Sequence, residues 1–204
     1  MKIFITGTDT NVGKTLISSW IALHTGFPYF KPIQTGLKEG SDSYEVQKLS
    51  NAKTYPEIYA YQEPLSPHLA ARIENETINI EKILLPQARN LVIEGAGGVL
   101  VPINDKYFML DLIKKIEVPV ILVARTSLGT INHTLLTLEA LRSRSIKVLG
   151  VIMNGEPNLQ NSNAIEVYGR TTILAQFPKI DIVNMNALKH VALSQKLKQI
   201  LQVK

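Results

Sequence analysis

Nothing constrains the fold of this chain more than its first fifteen residues. Residues 2–6 (K-I-F-I-T) are β-branched and aromatic with no breaker, the composition of a short buried strand. They run into Gly7-Thr8-Asp9-Thr10-Asn11-Val12-Gly13-Lys14-Thr15, after which Leu16, Ile17, Trp20, Ile21 and Leu23 recur at helical spacing. Strand, glycine-containing turn, Gly-Lys-Thr and helix in that order predict a phosphate-binding loop. The glycines let the backbone approach phosphate oxygens, and the amides at the helix start point at negative charge. Lys14 is expected to reach the β- and γ-phosphates and the Thr15 hydroxyl to ligate Mg²⁺. The spacing departs from the usual G-x4-G-K-[ST], because Thr8 stands where glycine is expected and Gly7 leaves one extra residue between. The alternative is a chance Gly-Lys-Thr in a turn, which the strand before it and the helix after it argue against.

The rest of the chain alternates strand and helix. Residues 28–33 (P-Y-F-K-P-I) read as a second strand, with Gln34-Thr35-Gly36 leaving its end. Lys31 inside it is either a solvated ammonium on an edge strand or a second cation aimed at the phosphate site. Ser41-Asp42 precedes a helix around residues 44–49, and a capping role for Asp42 competes with a functional one. Residues 51–77 read as irregular, Pro67 opens a helix, and residues 80–88 read as helical. Residues 90–94 form a buried strand that delivers Glu94 at its end, followed by a Gly-Ala-Gly97-Gly98 turn. Ligands gather at such strand ends in open α/β sheets. Further strands are expected over 119–124, 147–153 and 173–177, and helices through Leu135, Leu138 and Leu141, from about Ala164, and over 187–203. Residues 1–204 are therefore expected to form a single domain. Its fold is a doubly wound, mainly parallel sheet with helices on both faces and the phosphate loop at its start.

Composition narrows the partners. No apolar run approaches the roughly 18 residues of a membrane span. The phosphate-loop strand at the N-terminus is not the pattern of a cleaved leader. There is no cysteine, which excludes disulfides, thiolate metal sites and a thiol nucleophile and points to the cytoplasm. The net charge of +5 is spread along the chain and suits anionic substrates as well as it suits nucleic acid. No zinc-finger or RNP pattern points to nucleic acid.

Taken together, these stretches resemble the dethiobiotin synthetase family. The resemblance rests on residues 7–15, residues 29–36 (Y-F-K-P-I-Q-T-G), Ser41-Asp42, residues 64–71 (P-L-S-P-H-L-A-A), residues 94–102 (E-G-A-G-G-V-L-V-P) and residues 128–133 (L-G-T-I-N-H). It implies a homodimeric, ATP- and Mg²⁺-dependent cyclo-ligase that adds CO₂ to 7,8-diaminononanoate. A carbamate forms, attacks the γ-phosphate to give a carbamic–phosphoric anhydride, and the second amine closes a ureido ring. The resemblance further implies that Lys14 and Lys31 hold the anions together and that Thr15, Asp42 and Glu94 ligate Mg²⁺. Thr10 and Thr35 match positions touching phosphate or carbamate. Leu128, Gly129, Thr130 and Asn132 match the helix start that binds the substrate carboxylate in the partner's site, and Tyr168 matches a tyrosine closing over it. Asn154 matches a base-contacting asparagine, beside Gly97 and Gly98 in the nucleotide set. Two departures stand out: Asn11 occupies a common glutamate position, and residues from Pro178 onward lack the family's usual base-binding pattern.

Two rivals share parts of this pattern. A partitioning-type ATPase carries a signature lysine five residues before the loop lysine, where this chain has Asp9. A cobyrinate-type amide synthetase needs a glutaminase cysteine, and the chain has none.

Overall fold

A computed structural model describes residues 1–203. The first half runs β1 (Lys2–Gly7), α1 (Lys14–Thr25), β2 (Tyr29–Phe30), β3 (Ile33–Gln34), α2 (Asp42–Ser50), β4 (Thr54–Tyr55), β5 (Tyr59–Ala60) and α3 (Pro67–Ile73). The second half adds β6 (Leu91–Gly98), α4 (Met109–Ile116), β7 (Val120–Arg125), α5 (Thr130–Ser143), β8 (Val148–Asn154), α6 (Leu159–Gly169), β9 (Ile173–Phe177), α7 (Met185–His190) and α8 (Gln195–Leu201). Seven strands make one sheet in the order β4-β2-β6-β1-β7-β8-β9, and every pairing in it is parallel. The phosphate-loop strand thus lies at the centre, between β6 and β7.

Period-two alternation distributes each strand between two cores. Ile3 and Ile5 of β1 pack with Ile17, Trp20 and Ile21 of α1 and with Leu188, Leu197 and Leu201 of α7 and α8. Phe4 points the other way, into a core with Ile93, Met109 and Leu112. Leu122, Val151 and Met153 meet Leu138 of α5 and Ile165 of α6 on the same side of the sheet as Phe4. Continuously apolar strands are what a sheet covered on both faces requires. Among the described residues no helix is long and apolar enough to cross a membrane.

Four local expectations are corrected. The strand expected over 28–33 splits: β2 belongs to the main sheet, whereas β3 pairs with β5 in a separate two-stranded sheet. Pro32 offers no N–H to the main ladder, and its carbonyl instead accepts from Ile58 and Tyr59. Residues 80–88 hold only a 3-10 turn, Ile80–Lys82, because Pro86 removes a donor and disfavours helical backbone at Leu85. Helix α6 begins at Leu159, ahead of Ala164, where the Asn158 side chain caps it by accepting from the Asn161 amide. The closing helix is two helices, broken between His190 and Gln195, where the Val191 carbonyl accepts the buried Trp20 indole N–H at 2.6 Å.

Candidate active site

The phosphate loop is built by constraints a side chain would violate. Gly13 caps α1 with φ 93°, and a Cβ there would lie 2.1 Å from the Asn154 amide nitrogen. That nitrogen donates to the Val12 carbonyl at 2.9 Å, so the end of β8 braces the loop. The strand pair β1–β6 changes register between Ile5, opposite Glu94, and Gly7, opposite Gly98. Thr8 remains tied to the sheet through its amide and the Val123 carbonyl at 3.0 Å. Lys14 lies folded inward, its ammonium donating to the Asp9 carbonyl at 2.9 Å. Burial of that ammonium pulls its pKa down to about 8, against the opposing pull of Glu94.

Beside the loop lies a buried ionic cluster. Glu94 was expected at a strand end, yet β6 continues through Gly98 and the carboxylate is fully buried in mid-strand. Four donors satisfy it: Thr15 at 2.9 Å and Lys31 at 3.4 Å on Oε1, Ser18 at 2.7 Å and Tyr29 at 3.0 Å on Oε2. Lys31 is 5% exposed, which removes the solvated-edge reading, and it also pairs with Asp42. Burial alone would lower the Lys31 pKa, but attraction to Glu94 and Asp42 outweighs it and holds the ammonium above the ordinary lysine range. Burial raises the Asp42 carboxyl, and the Lys31 charge more than reverses this, leaving it below the usual carboxylate range. The Tyr29 phenol is pushed well up by burial and by Glu94, so it stays protonated and donates. Capping of α2 falls to Ser41, which accepts from the Tyr44 amide, so Asp42 is free for the cluster.

The donor set fits a hard cation. Thr15 Oγ1 lies 3.0 Å from Asp42 Oδ1 and 2.9 Å from Glu94 Oε1. A hydroxyl has one proton and cannot satisfy two carboxylates at once. One oxygen–oxygen contact is therefore left without a proton, and a bound Mg²⁺, which takes oxygen ligands, would relieve it.

One cavity of about 630 Å³ gathers ten of the expected residues. Thr10, Asn11, Gly13, Lys14 and Thr15 of the loop line it together with Lys31, Thr35, Asp42, Glu94 and Gly97. Gly7, Thr8, Asp9, Val12, Gly98 and Asn154 lie outside the lining; Gly7 and Gly98 are paired behind the loop, and Asn154 braces it at Val12. Leu128, Gly129, Thr130, Asn132 and Tyr168 are not brought to this cavity. Leu128 is 100% exposed, Tyr168 is 74% exposed, and Thr130 is buried against its own turn. Sequence reasoning missed Tyr29, Ser18 and Gln34, whose Oε1 accepts from the Asp42 amide at 3.2 Å. Their spacing carried a signal: Tyr29 is two residues from Lys31 on extended chain, and Ser18 three from Thr15 on a helix.

Comparison with known proteins places this geometry. A family described as "AAA domain" matches residues 1–187. The structure of a ParA family ATPase from Chlorobium tepidum is similar, with a TM-score of 0.58 at 12% identity over 98% of this chain and 95% of that one. At that identity the likeness is one of fold. Sequence similarity is much closer to the protein named ATP-dependent dethiobiotin synthetase BioD of Lawsonia intracellularis, 58% identical over 98% of both chains. The protein of the same name from Neorickettsia sennetsu is 44% identical over 99% of this chain and 96% of its own length. The phosphate loop, its partner cluster and this identity along nearly the whole length have one reading: the chain belongs to the ATP-dependent dethiobiotin synthetase family.

Proposed function

We propose that the chain, as one domain over residues 1–204, makes dethiobiotin from 7,8-diaminononanoate, CO₂ and ATP. The observation that supports this best is the convergence of two buried lysines on one cavity beside an all-oxygen donor set. A carbamate and a triphosphate repel each other, and bringing them into contact is an electrostatic task for fixed cations in a site shielded from water. Lys14 is placed to hold the β- and γ-phosphates once it is drawn off the Asp9 carbonyl. Lys31, fixed by Asp42 and Glu94, is placed to hold the carbamate and the transferring phosphoryl group. Mg²⁺ held by Thr15, Asp42 and Glu94 would supply charge neutralisation at the β- and γ-oxygens.

In the proposed sequence one amine adds to CO₂ and loses a proton to give the carbamate. A carbamate oxygen displaces ADP from the γ-phosphorus, and the second amine then attacks the carbonyl carbon and expels phosphate. Thr10 and Thr35, which both line the cavity, would donate to the phosphate and carbamate oxygens. The substrate carboxylate would lie at Leu128, Gly129, Thr130 and Asn132 of a second copy, with Tyr168 of that copy beside it. The exposure of Leu128 and Tyr168, away from their own cavity, favours that arrangement. The cytoplasm suits a cysteine-free enzyme that uses ATP.

Phosphate release measured with and without the diamine and bicarbonate tests the reading. Release that requires both is the expected result. Release that is independent of the diamine, or stimulated by DNA or lipid, would overturn it.

A further inference from the structure

Arg125 closes β7 one strand away from the phosphate loop, and the lysine chemistry proposed above makes no use of it. Its Nη2 lies 3.7 Å from Asp9 Oδ2 and 3.2 Å from His133 Nδ1. Arginine only donates, so His133 accepts at Nδ1 and carries its proton on Nε2. Asp9 is itself engaged on the loop: its Oδ1 accepts from the Thr10 amide at 2.7 Å and its carbonyl from Lys14 at 2.9 Å. On the other side the Arg125 carbonyl accepts from the Thr130 hydroxyl, and the His133 amide donates to the Gly129 carbonyl at 3.1 Å. One guanidinium therefore stands between the loop expected to hold ATP and the turn expected to hold a partner's substrate carboxylate. Its Nε is buried and has no hydrogen-bond partner among the described residues, an unusual state for a group kept only for packing.

We propose that Arg125 is a positioning residue that sets the 128–132 turn in register with the phosphate loop of the same chain. This rests on the reading that the turn binds the diamine's carboxylate for the partner subunit. Both members of the Arg125–Asp9 pair are substantially exposed, so the pair adds little to stability. Its effect is on geometry: without the tie, the first-turn amides of α5 drift relative to the site they complete. The consequence is that Asp9, on the loop of one site, influences diamine affinity in the neighbouring site.

The test is a double-mutant cycle read in the diamine KM at saturating ATP. Asp9→Asn and Arg125→Gln should each raise that KM by about 3- to 10-fold, and the double variant should be no worse than the worse single one. His133→Leu should match Arg125→Gln, while His133→Asn, which keeps an acceptor near the Nδ1 position, should restore most of the affinity. The histidine pair keeps the test decisive if an Arg125 variant fails to fold. Gly129→Glu, which places a carboxylate at the turn, serves as the control. If Gly129→Glu raises the diamine KM but the Asp9 and Arg125 effects multiply or are absent, the positioning role is overturned and the carboxylate reading survives. If Gly129→Glu leaves the diamine KM unchanged, the carboxylate reading itself has failed and the inference falls with it.

Discussion

A carboxylate with no exposed surface persists only where donors surround it, and Glu94 has four. Glu94→Gln should therefore lower both turnover and stability, the latter by about 2–4 kcal/mol, because Lys31 would lose one buried counter-charge and amide protons would face the Ser18 and Tyr29 donors. Asp42 retains 29% side-chain exposure, so Asp42→Asn should lower turnover at limiting Mg²⁺ while shifting the urea midpoint little. Equal stability loss in the two variants would contradict this assignment. Lys31→Gln should reduce kcat by about 10²-fold or more, by analogy with the loss of a fixed oxyanion donor; an unchanged kcat would exclude Lys31 from the chemistry. Lys14 gives a pH prediction. Its folded pKa of about 8 lies below the ordinary 10.5, so between those values the unfolded chain binds more protons and stability rises with pH. The shift corresponds to about 3 kcal/mol. Urea unfolding of the nucleotide- and metal-free chain from pH 8 to 10 should show that rise, and Lys14→Met should lack it and be more stable at pH 7. The residue types of this cluster were legible in the sequence, but their partnership was not. Lys31 and Glu94 are 63 residues apart, and only the placing of β2 beside β6 brings them together.

At the scale of elements, long apolar runs and glycine-bearing turns declared themselves. The strand expected over 173–177 coincides with β9, and α1 begins where the Gly-Lys-Thr pattern places it. One misreading arose where a single tertiary contact outweighs local propensity. Residues 187–203 have helical periodicity, but a continuous helix would leave the Trp20 indole without the Val191 carbonyl. The chain breaks there and Ser194 starts α8, accepting from the Leu197 amide at 3.1 Å and donating to the Leu174 carbonyl. The break lets Leu188, Leu193, Leu197 and Leu201 all reach the same core. Ser194→Ala removes a helix cap and a bond to β9 together, and should destabilise the chain by about 1–2 kcal/mol in urea unfolding. A change below a few tenths would mean that the two helices are held by leucine packing alone.

At the scale of the molecule, the question is whether one chain contains a whole active site. The 128–132 turn is open to a ligand: Gly129 adopts φ 88°, none of the described residues lies within 4 Å of a Cβ added there, and the turn opens a 14-residue helix. The Thr130 amide already donates to the Ser127 carbonyl at 3.1 Å, and the next amides of such a helix start can meet an anion without a cationic side chain. Yet the turn lies outside the cavity that holds Lys14 and Lys31, so within one chain the two halves do not meet. A two-fold dimer that seats each turn over its partner's cavity makes two complete sites, each drawing on both chains. Complementation tests this. A Lys14→Ala chain lacks a working loop, and a Gly129→Glu chain sets a negative charge where the carboxylate should bind, so at diamine concentrations near the wild-type KM each homodimer should show little activity. A hybrid dimer contains one site with both halves intact and one with both damaged. Random mixing makes half the dimers hybrid, so activity should return to about a quarter of the wild-type value. Native mass spectrometry establishes that hybrids have formed. Hybrids present without recovered activity would mean that each chain completes its own site and that the turn only caps α5.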